Sequence, residues 1–466
     1  MSGQPSAART GTLFGALLAP SFIALGAPTV ALPSLADGLH VPFGQTSWVL
    51  TSWALMSAVA MPLFGALSGR VGLRMGVVGG VVLIAVGSLI AAVSPDLVLM
   101  IVGRAIGGAG AGATVVTAYA IISARLEGED RSRALGVVAA VGAAASGSGA
   151  LLGGLLTSGP GWRLVIAAPA VAVVALVPAA RLAPSQRDPG RRVDLVGAAL
   201  LTVVGAAVIV LLQAAATSLP AGVTAGVGVL GVAAAILLRG HVRRRPEGFL
   251  PQRVLVAPGF LTTGLVGLTV FAAYYATLFA VPALLRADTG WGAVAVGAAL
   301  LPAALFSVVG GRLAPRLARR TSVASLAVMI AVGAAAGLLI AACLPGAALR
   351  VLGLGLTAGA FAAGQAVLIG AVPDLVERRD ADVAQGLFDF IAYGGSSIGP
   401  AVVGGLSTSL DLAQALTVAA AVPVVGVLAG VALKRRRVPA RSPRLTPPPA
   451  TPTGTDCSNP RMRCNL

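Results

Sequence analysis

Fourteen apolar runs of about twenty residues follow one another along this chain, at 12–34, 47–67, 75–94, 97–122, 133–156, 163–182, 194–214, 221–238, 257–284, 291–311, 321–343, 347–372, 383–406 and 412–433. About twenty residues, at roughly 1.5 Å each, is the length an α-helix needs to cross the hydrocarbon core of a bilayer. Lipid offers the backbone no hydrogen-bond partner, so only helices and closed barrels span it. The runs are continuous and not alternating ten-residue segments, which excludes a barrel. Composition agrees: 57% of the residues are hydrophobic and 11% charged, whereas an ordinary soluble domain carries roughly 25% charged residues. A water-soluble globule of this chain would have too little polar surface, so a soluble enzyme, a nucleic-acid binder and a disordered scaffold are excluded. Arg9 before the first run imitates a signal peptide, but thirteen further runs make an uncleaved first helix the better reading. The sequence specifies an all-α integral membrane protein.

The net charge of +17 would on its own suggest a nucleic-acid partner. Its distribution says otherwise. With both termini cytoplasmic, the inward loops and ends hold 29 of the 33 basic residues, and the outward loops hold three, Arg163, Arg286 and Arg350. Arg104 lies inside a helix. This is the positive-inside pattern, and it requires an even number of spans. The basic excess therefore sets topology in a plasma or inner membrane and implies no nucleic acid.

The chain also repeats itself. Gly65-Ala66-Leu67-Ser68-Gly69-Arg70-Val71-Gly72-Leu73-Arg74 stands between spans 2 and 3, and Gly311-Arg312-Leu313-Ala314-Pro315-Arg316-Leu317-Ala318-Arg319-Arg320 between spans 10 and 11, 246 positions later. Both read G-x-L-small-x-R-x-small-x-R at the same place in two six-helix blocks. Two parallel six-helix halves with a substrate site near the midplane are a transporter architecture. The expected organisation is a half at 1–185, a linker with two extra spans at 186–253, a half at 254–434, and a basic, Pro-rich, disordered cytoplasmic tail at 435–466. Of the three cysteines, Cys343 lies in a span and Cys457 and Cys464 in the tail, a distribution that forms no disulfide framework in a reducing compartment.

The loop repeat resembles the signature between helices 2 and 3 of the major facilitator superfamily, G-x-L-a-D-R-x-G-r-k. Val30-Ala31-Leu32-Pro33 closes the first span as in its drug/proton antiporters. Arg104-Ala105-Ile106-Gly107-Gly108 resembles the R-x-x-q-G of helix 4. Gly149-Ala150-Leu151-Leu152-Gly153-Gly154, followed by Trp162-Arg163, resembles the G-P-x-x-G-G antiporter motif of helix 5. Asp194-Leu195-Val196-Gly197 and the count of fourteen spans look like the fourteen-helix branch, two six-helix bundles plus two inserted central helices. The resemblance covers residues 10–434 and implies a monomeric exporter of drugs or antibiotics that exchanges its small-molecule substrate for protons. Three positions depart from it: the loop Asp is Gly69, the motif Pro is Ala150, and the helix 1 acid is Ala24. Coupling through a helix 1 carboxylate is thus not available.

Asp389 is the carboxylate placed clearly inside a span, roughly 9 Å from the start of span 13 at 1.5 Å per residue. An acid inside a membrane is costly and is a functional candidate by default. Asp382, Gln385, Asp389, Tyr393 and Ser396 recur on one helical face, which points to a cavity or to the other half; a structural ion pair or a water-filled vestibule would produce the same pattern. Arg104 stays charged and can influence a neighbouring acid, or simply snorkel to the interface. Asp389 and Arg104 are the candidates for proton coupling. Arg70 and Arg74, with Asp382 across the interface in place of the missing loop aspartate, are candidates for a cytoplasmic gate; plain topology or a local pair of Asp382 with Arg378 or Arg379 is the blander reading. Gly149, Gly153 and Gly154 give span 5 a smooth surface suited to sliding between halves. Trp53, Met56, Tyr119, Tyr274, Tyr275, Gln365 and Tyr393 are candidate cavity residues, though each would serve equally as packing.

No G-x-x-x-x-G-K-[ST] is present, so nothing suggests an intrinsic ATPase. His40 and His241 fall in loops and the cysteines are scattered, so no metal site or other cofactor is implied. Three functions compete: a proton-driven exporter of amphiphilic organic molecules, an importer or facilitator of a small polar metabolite, and a transport-inactive sensor or scaffold.

Overall fold

The first helix, α1 (Ala7–Leu39), runs through three internal prolines, Pro20, Pro28 and Pro33. Each proline lacks the N–H that the carbonyl four residues earlier would have used, and in a membrane a freed carbonyl needs another donor. The carbonyl freed by Pro28 is that of Ala24. We describe a computed structural model, in which residues 6–159, 161–184, 194–212, 214, 219–245, 252–318, 320–377 and 380–435 are described; most of the expected tail falls outside them.

Helices α2 (Ser47–Val71) and α3 (Leu73–Val93) are separated by Gly72 alone, at φ 97. That conformation favours glycine, so the glycine of the loop motif is the hairpin itself. Asp96 caps α4 (Leu97–Arg125) by accepting the backbone N–H of Leu99 at 2.8 Å, and α5 (Gly128–Ser158) follows. The sixth apolar run is not one continuous α-helix: α6 (Trp162–Ala167) passes through a 3-10 stretch, Ala168–Ala175, into α7 (Leu176–Leu182). Pro169 at that junction cannot continue the α-helical hydrogen bonds. Next come α8 (Leu195–Leu212), α9 (Ala221–Arg244) and the short α10 (Gln252–Leu255). The second half contains α11 (Phe260–Thr289), α12 (Ala293–Ala299), α13 (Leu301–Ala318), α14 (Val323–Cys343), α15 (Ala347–Ala371), α16 (Ala381–Leu406), α17 (Leu412–Ala419) and α18 (Ala421–Arg435). The tenth and fourteenth runs are each split, beside Pro302 and Pro423.

Every regular element among the described residues is helical, and eleven helices are long and apolar enough to cross a membrane. Val196–Leu212 is a shorter apolar helix, and α5 and α16 lie outside the set of eleven. The repeat is visible in the packing. In the first half α1 packs on α5, and both α2 and α3 on α4; in the second α11 packs on α16, and both α13 and α14 on α15. Both α3 and α14 have 21 residues, and their first residues, 73 and 323, are 250 apart. The loop motifs are 246 apart; three of the four positions of difference arise at the hairpin, since α2 and α13 end 247 apart, at Val71 and Ala318, and α3 and α14 begin 250 apart.

Glycine lets these helices touch through their backbones. Gly108 and Gly112 of α4 rest on the backbone of Trp53 and Ser57 in α2, and Gly395 and Gly399 of α16 on that of Leu268 and Ala272 in α11. Between them, α8 packs on both α2 and α16, with Gly205 against Leu55, while α9 packs chiefly on α8. The inserted pair therefore lies on the seam between halves. His241 is in α9 and not in a loop, with Nε2 2.8 Å from both carboxylate oxygens of Asp194 at the start of α8.

Candidate functional site

The two halves meet where α2 packs on α16 and α5 on α12 and α13. Their close contacts gather at the end that holds the C-termini of α1 and α11. There Gly44 lies against Gly404 and the Ser407 hydroxyl, Gly154 against the backbone of Ala293, and Gly297 against Ala150. Phe43 stacks on Phe279 at 5.1 Å between ring centroids, and the Arg286 guanidinium donates to the Ser34 hydroxyl at 3.4 Å. At the opposite end Arg70 and Arg74 are exposed and have no ion-pair partner among the described residues. The side chain of Asp382, the third gate candidate, lies outside the described residues. The space between the halves is thus pinched at one end.

On the wall of that space, Asp389 is half-buried on α16 and accepts a hydrogen bond from Gln385 Nε2 at 3.1 Å. Tyr119, from α4 of the other half, is 40% exposed and near enough to Asp389 and Tyr393 to interact with them electrostatically. A carboxyl and a phenol from opposite halves therefore lie near each other, the phenol partly exposed. Ser396 donates to the Tyr393 carbonyl and is buried, so it ends the polar stripe.

Tyr393 leads into an aromatic cluster. It tilts on Phe271 at 5.2 Å; Phe271 meets Phe361 edge-on at 4.6 Å; Phe361 stacks on Tyr274 at 4.6 Å; and Tyr275 meets Tyr274 at 5.0 Å. Helices α11, α15 and α16 supply these rings, so the cluster belongs to the second half. Tyr274, Phe361 and Tyr393 are half-buried, while Tyr275 and Phe271 are buried behind them. Phe271 and Phe361 were not among the sequence candidates. Helical spacing carries the signal that finds them: Phe271 precedes Tyr274 and Tyr275 by three and four residues, and Phe361 precedes Gln365 by four. Gln365 is half-buried on α15 and Met56 half-buried on α2.

Arg104 is placed differently from the sequence expectation. It is fully buried in the first half, its Nε donating to the Val49 carbonyl and a terminal nitrogen to the Ala24 carbonyl, both at 2.8 Å. The second acceptor is the carbonyl freed by Pro28, at the very position where the resemblance would place an acid. The guanidinium also sits 4.4 Å over the Trp53 ring, which removes Trp53, 1% exposed, from the cavity wall. No carboxylate pairs with Arg104 among the described residues. Its geometry is that of a fastener holding α1 and α2 to α4. Arg350 is also inside a helix, not in a loop: it is buried in α15 and paired with Asp288 of α11.

The glycine candidates divide as well. Gly149 and Gly153 face Gly26 and Ala27 of α1 within the first half, and only Gly154 faces the second half, at Ala293.

Comparison with known proteins gives the same picture. Residues 13–363 match the Major Facilitator Superfamily. An uncharacterized MFS-type transporter of Mycobacterium tuberculosis is 31% identical over 64% of this chain, a match that spans only 44% of that longer protein. The multidrug resistance protein Stp of the same species is 28% identical over 80% of this chain and 71% of its own length. The puromycin resistance protein pur8 of Streptomyces alboniger is 31% identical over 66% of this chain and 62% of its own. Among solved structures, a bacterial homolog of the human lysosomal transporter Spinster, in an inward-facing and unoccupied conformation, superposes with a TM-score of 0.65 at 14% identity, covering 93% of this chain and 98% of that one. The profile covers most of the chain and the helices repeat in two packed halves: this multi-pass membrane protein belongs to the Major Facilitator Superfamily.

Proposed function

We propose that the chain is a secondary active exporter of amphiphilic organic compounds, drugs or antibiotics among them, working by alternating access and proton antiport. One observation carries the reading: Asp389, an acid within a span and without a cationic partner among the described residues, faces Tyr119 of the other half across a space pinched at one end. A carboxyl so placed can take up and release a proton while the halves rock about it. The names of the relatives, resistance proteins for multiple drugs and for puromycin, support the outward direction. Arg104, fastened to backbone, serves as a positioning residue. The bounds 1–185, 186–253 and 254–434 describe the working halves and the inserted pair.

Counting α5, α8 and α16 with the eleven long apolar helices makes fourteen spans, and the basic residues then place both termini in the cytoplasm of a plasma or inner membrane. The pinched end is thereby extracellular, and the chain stands open inward. A cysteine at Ala221, the first residue of α9, is expected to react with an impermeant thiol reagent from outside; reaction only from the cytoplasmic side refutes the fourteen-span topology. Function is tested by drug accumulation in cells with and without the protein, with and without a protonophore. Export lowers accumulation, and the protonophore restores it. Raised accumulation would mark an importer, and no difference a transport-inactive protein.

A further inference from the structure

Of the eleven long apolar helices, α9 is the least covered by the rest of the chain. Its inner side is fixed by α8: Gly231 lies against Ala207, Ala234 is buried, and His241 reaches Asp194. On the other side two stripes run along the helix. Val229, Val232, Ile236, Arg239 and Arg243 recur three or four residues apart, and Leu230, Leu237 and Arg244 seven apart. All eight are exposed. Arg239 and Arg243 stand roughly 27 and 33 Å along the axis from Ala221, at 1.5 Å per residue, against a hydrocarbon core of about 30 Å. Each stripe therefore passes from acyl-chain depth to headgroup depth where its arginines begin.

None of these three arginines has an ion-pair partner among the described residues. Asp194, at the same end of the inserted pair, is taken by His241 and by the backbone N–H of Gly197. Positive-inside topology accounts for arginines at this end, but it asks nothing of the helical face they occupy. Here they continue the exposed apolar stripes. A guanidinium fork matches a phosphate, and an apolar stripe leading up to it matches an acyl chain.

We propose that this outer face of α9 is a binding site for an anionic phospholipid, with Arg239, Arg243 and Arg244 on the phosphate and the Val229 and Leu230 stripes along the chains. The lipid sits beside the seam, because α8, to which α9 is fastened, packs on both α2 and α16. The inference rests on α9 spanning the bilayer, as proposed above, and not on what is transported.

The test uses the purified full-length protein, stripped of lipid in an uncharged detergent and titrated with phosphatidylglycerol or phosphatidylcholine, with bound lipid counted by native mass spectrometry. Phosphatidylglycerol is expected to bind at least about tenfold more tightly. Arg239→Gln, Arg243→Gln and Arg244→Gln together should weaken it about a hundredfold, at roughly fivefold for each arginine near an anionic headgroup. Arg312→Gln, Arg316→Gln and Arg320→Gln together remove the same charge from other exposed arginines and should leave binding unchanged. A thermal unfolding profile matching the parent's shows that a variant is folded; where the α9 variant is not, the two lipids on the parent chain decide. Equal binding of the two lipids, or equal loss in the two triple variants, overturns the proposal. Displacement of bound phosphatidylglycerol by an equal concentration of glycerol 3-phosphate also overturns it, since the acyl chains would then contribute nothing. A cysteine at Ala221 labelled from outside, with no preference for the anionic lipid, refutes this site and leaves the topology standing.

Discussion

The two halves share one helical frame and fill it with different chemistry. In the first half the deepest charged group, Arg104, is consumed by the backbone: it bonds the carbonyls of Val49 and Ala24 and covers Trp53. In the second half the corresponding interior holds Asp389 and a run of rings from α11, α15 and α16, while Arg350 is spent on Asp288. A buried arginine with backbone acceptors makes a rigid joint. A half-buried acid among aromatic faces makes a surface that can exchange occupants. The repeated packing thus leaves the two interiors different, an arginine fastened to backbone in one half and an acid beside aromatic rings in the other.

That contrast breaks most directly at Asp389. Asp389→Asn is expected to leave the protein in the membrane and to abolish efflux driven by a pH gradient, measured in energised cells or vesicles. Normal export by the Asn variant at every external pH tested would move coupling elsewhere in the chain. Arg104 should behave in the opposite sense. Arg104→Ala strands the Ala24 carbonyl and empties the space over Trp53, at a cost of about 2–5 kcal/mol. The loss should appear in thermal unfolding and in the yield of folded protein, with transport per folded molecule largely retained. A variant as stable as the parent but uncoupled from the proton gradient would show that Arg104 belongs with the coupling machinery.

Two adjacent glycines sharpen the comparison further. Gly153 packs on α1 inside the first half and Gly154 on α12 across the seam. Gly153→Val should destabilise the first half by about 1–3 kcal/mol, a cost typical of overpacking. Gly154→Val should instead hinder closure of the pinched end, raising the labelling rate of a cysteine at Ser407 by roughly tenfold for each 1.4 kcal/mol of bias. Equal effects on stability and on labelling would mean that the seam moves as part of one half. The smallest effect concerns the gate at the open end. If Asp382 pairs with Arg70 or Arg74 when that end closes, Asp382→Arg impairs transport and a second change, Arg70→Asp or Arg74→Asp, restores it. An exposed pair contributes only about 0–1 kcal/mol, so a several-fold change in rate is the most to expect, and no recovery in either double variant removes the latch.

The all-helical, membrane-spanning class was legible in the sequence because lipid allows the backbone few solutions, and the loop repeat anticipated the repeated packing of α2 and α3 on α4 and of α13 and α14 on α15. The continuity of each helix was less legible: the runs at 163–182, 291–311 and 412–433 are broken beside Pro169, Pro302 and Pro423, since hydropathy reports depth and not hydrogen bonding. Asp389 and Tyr119 could be picked out singly, because an acid or phenol within an apolar run is unusual. Their facing one another across the halves could not, since α4 and α16 are remote in sequence.

By itself the sequence determined the membrane as solvent, the helical class, the duplication and the small set of groups able to carry charge inside. Those properties follow from length, hydropathy and residue type, which are local. Which carbonyl receives Arg104, which of Gly149, Gly153 and Gly154 meets the other half, and whether Trp53 lines a cavity or backs an arginine were decided only by tertiary structure. Pro28 announces that the Ala24 carbonyl will lack its helical partner, but the donor that answers lies 80 residues further on, and only the packing of α4 on α1 brings it there.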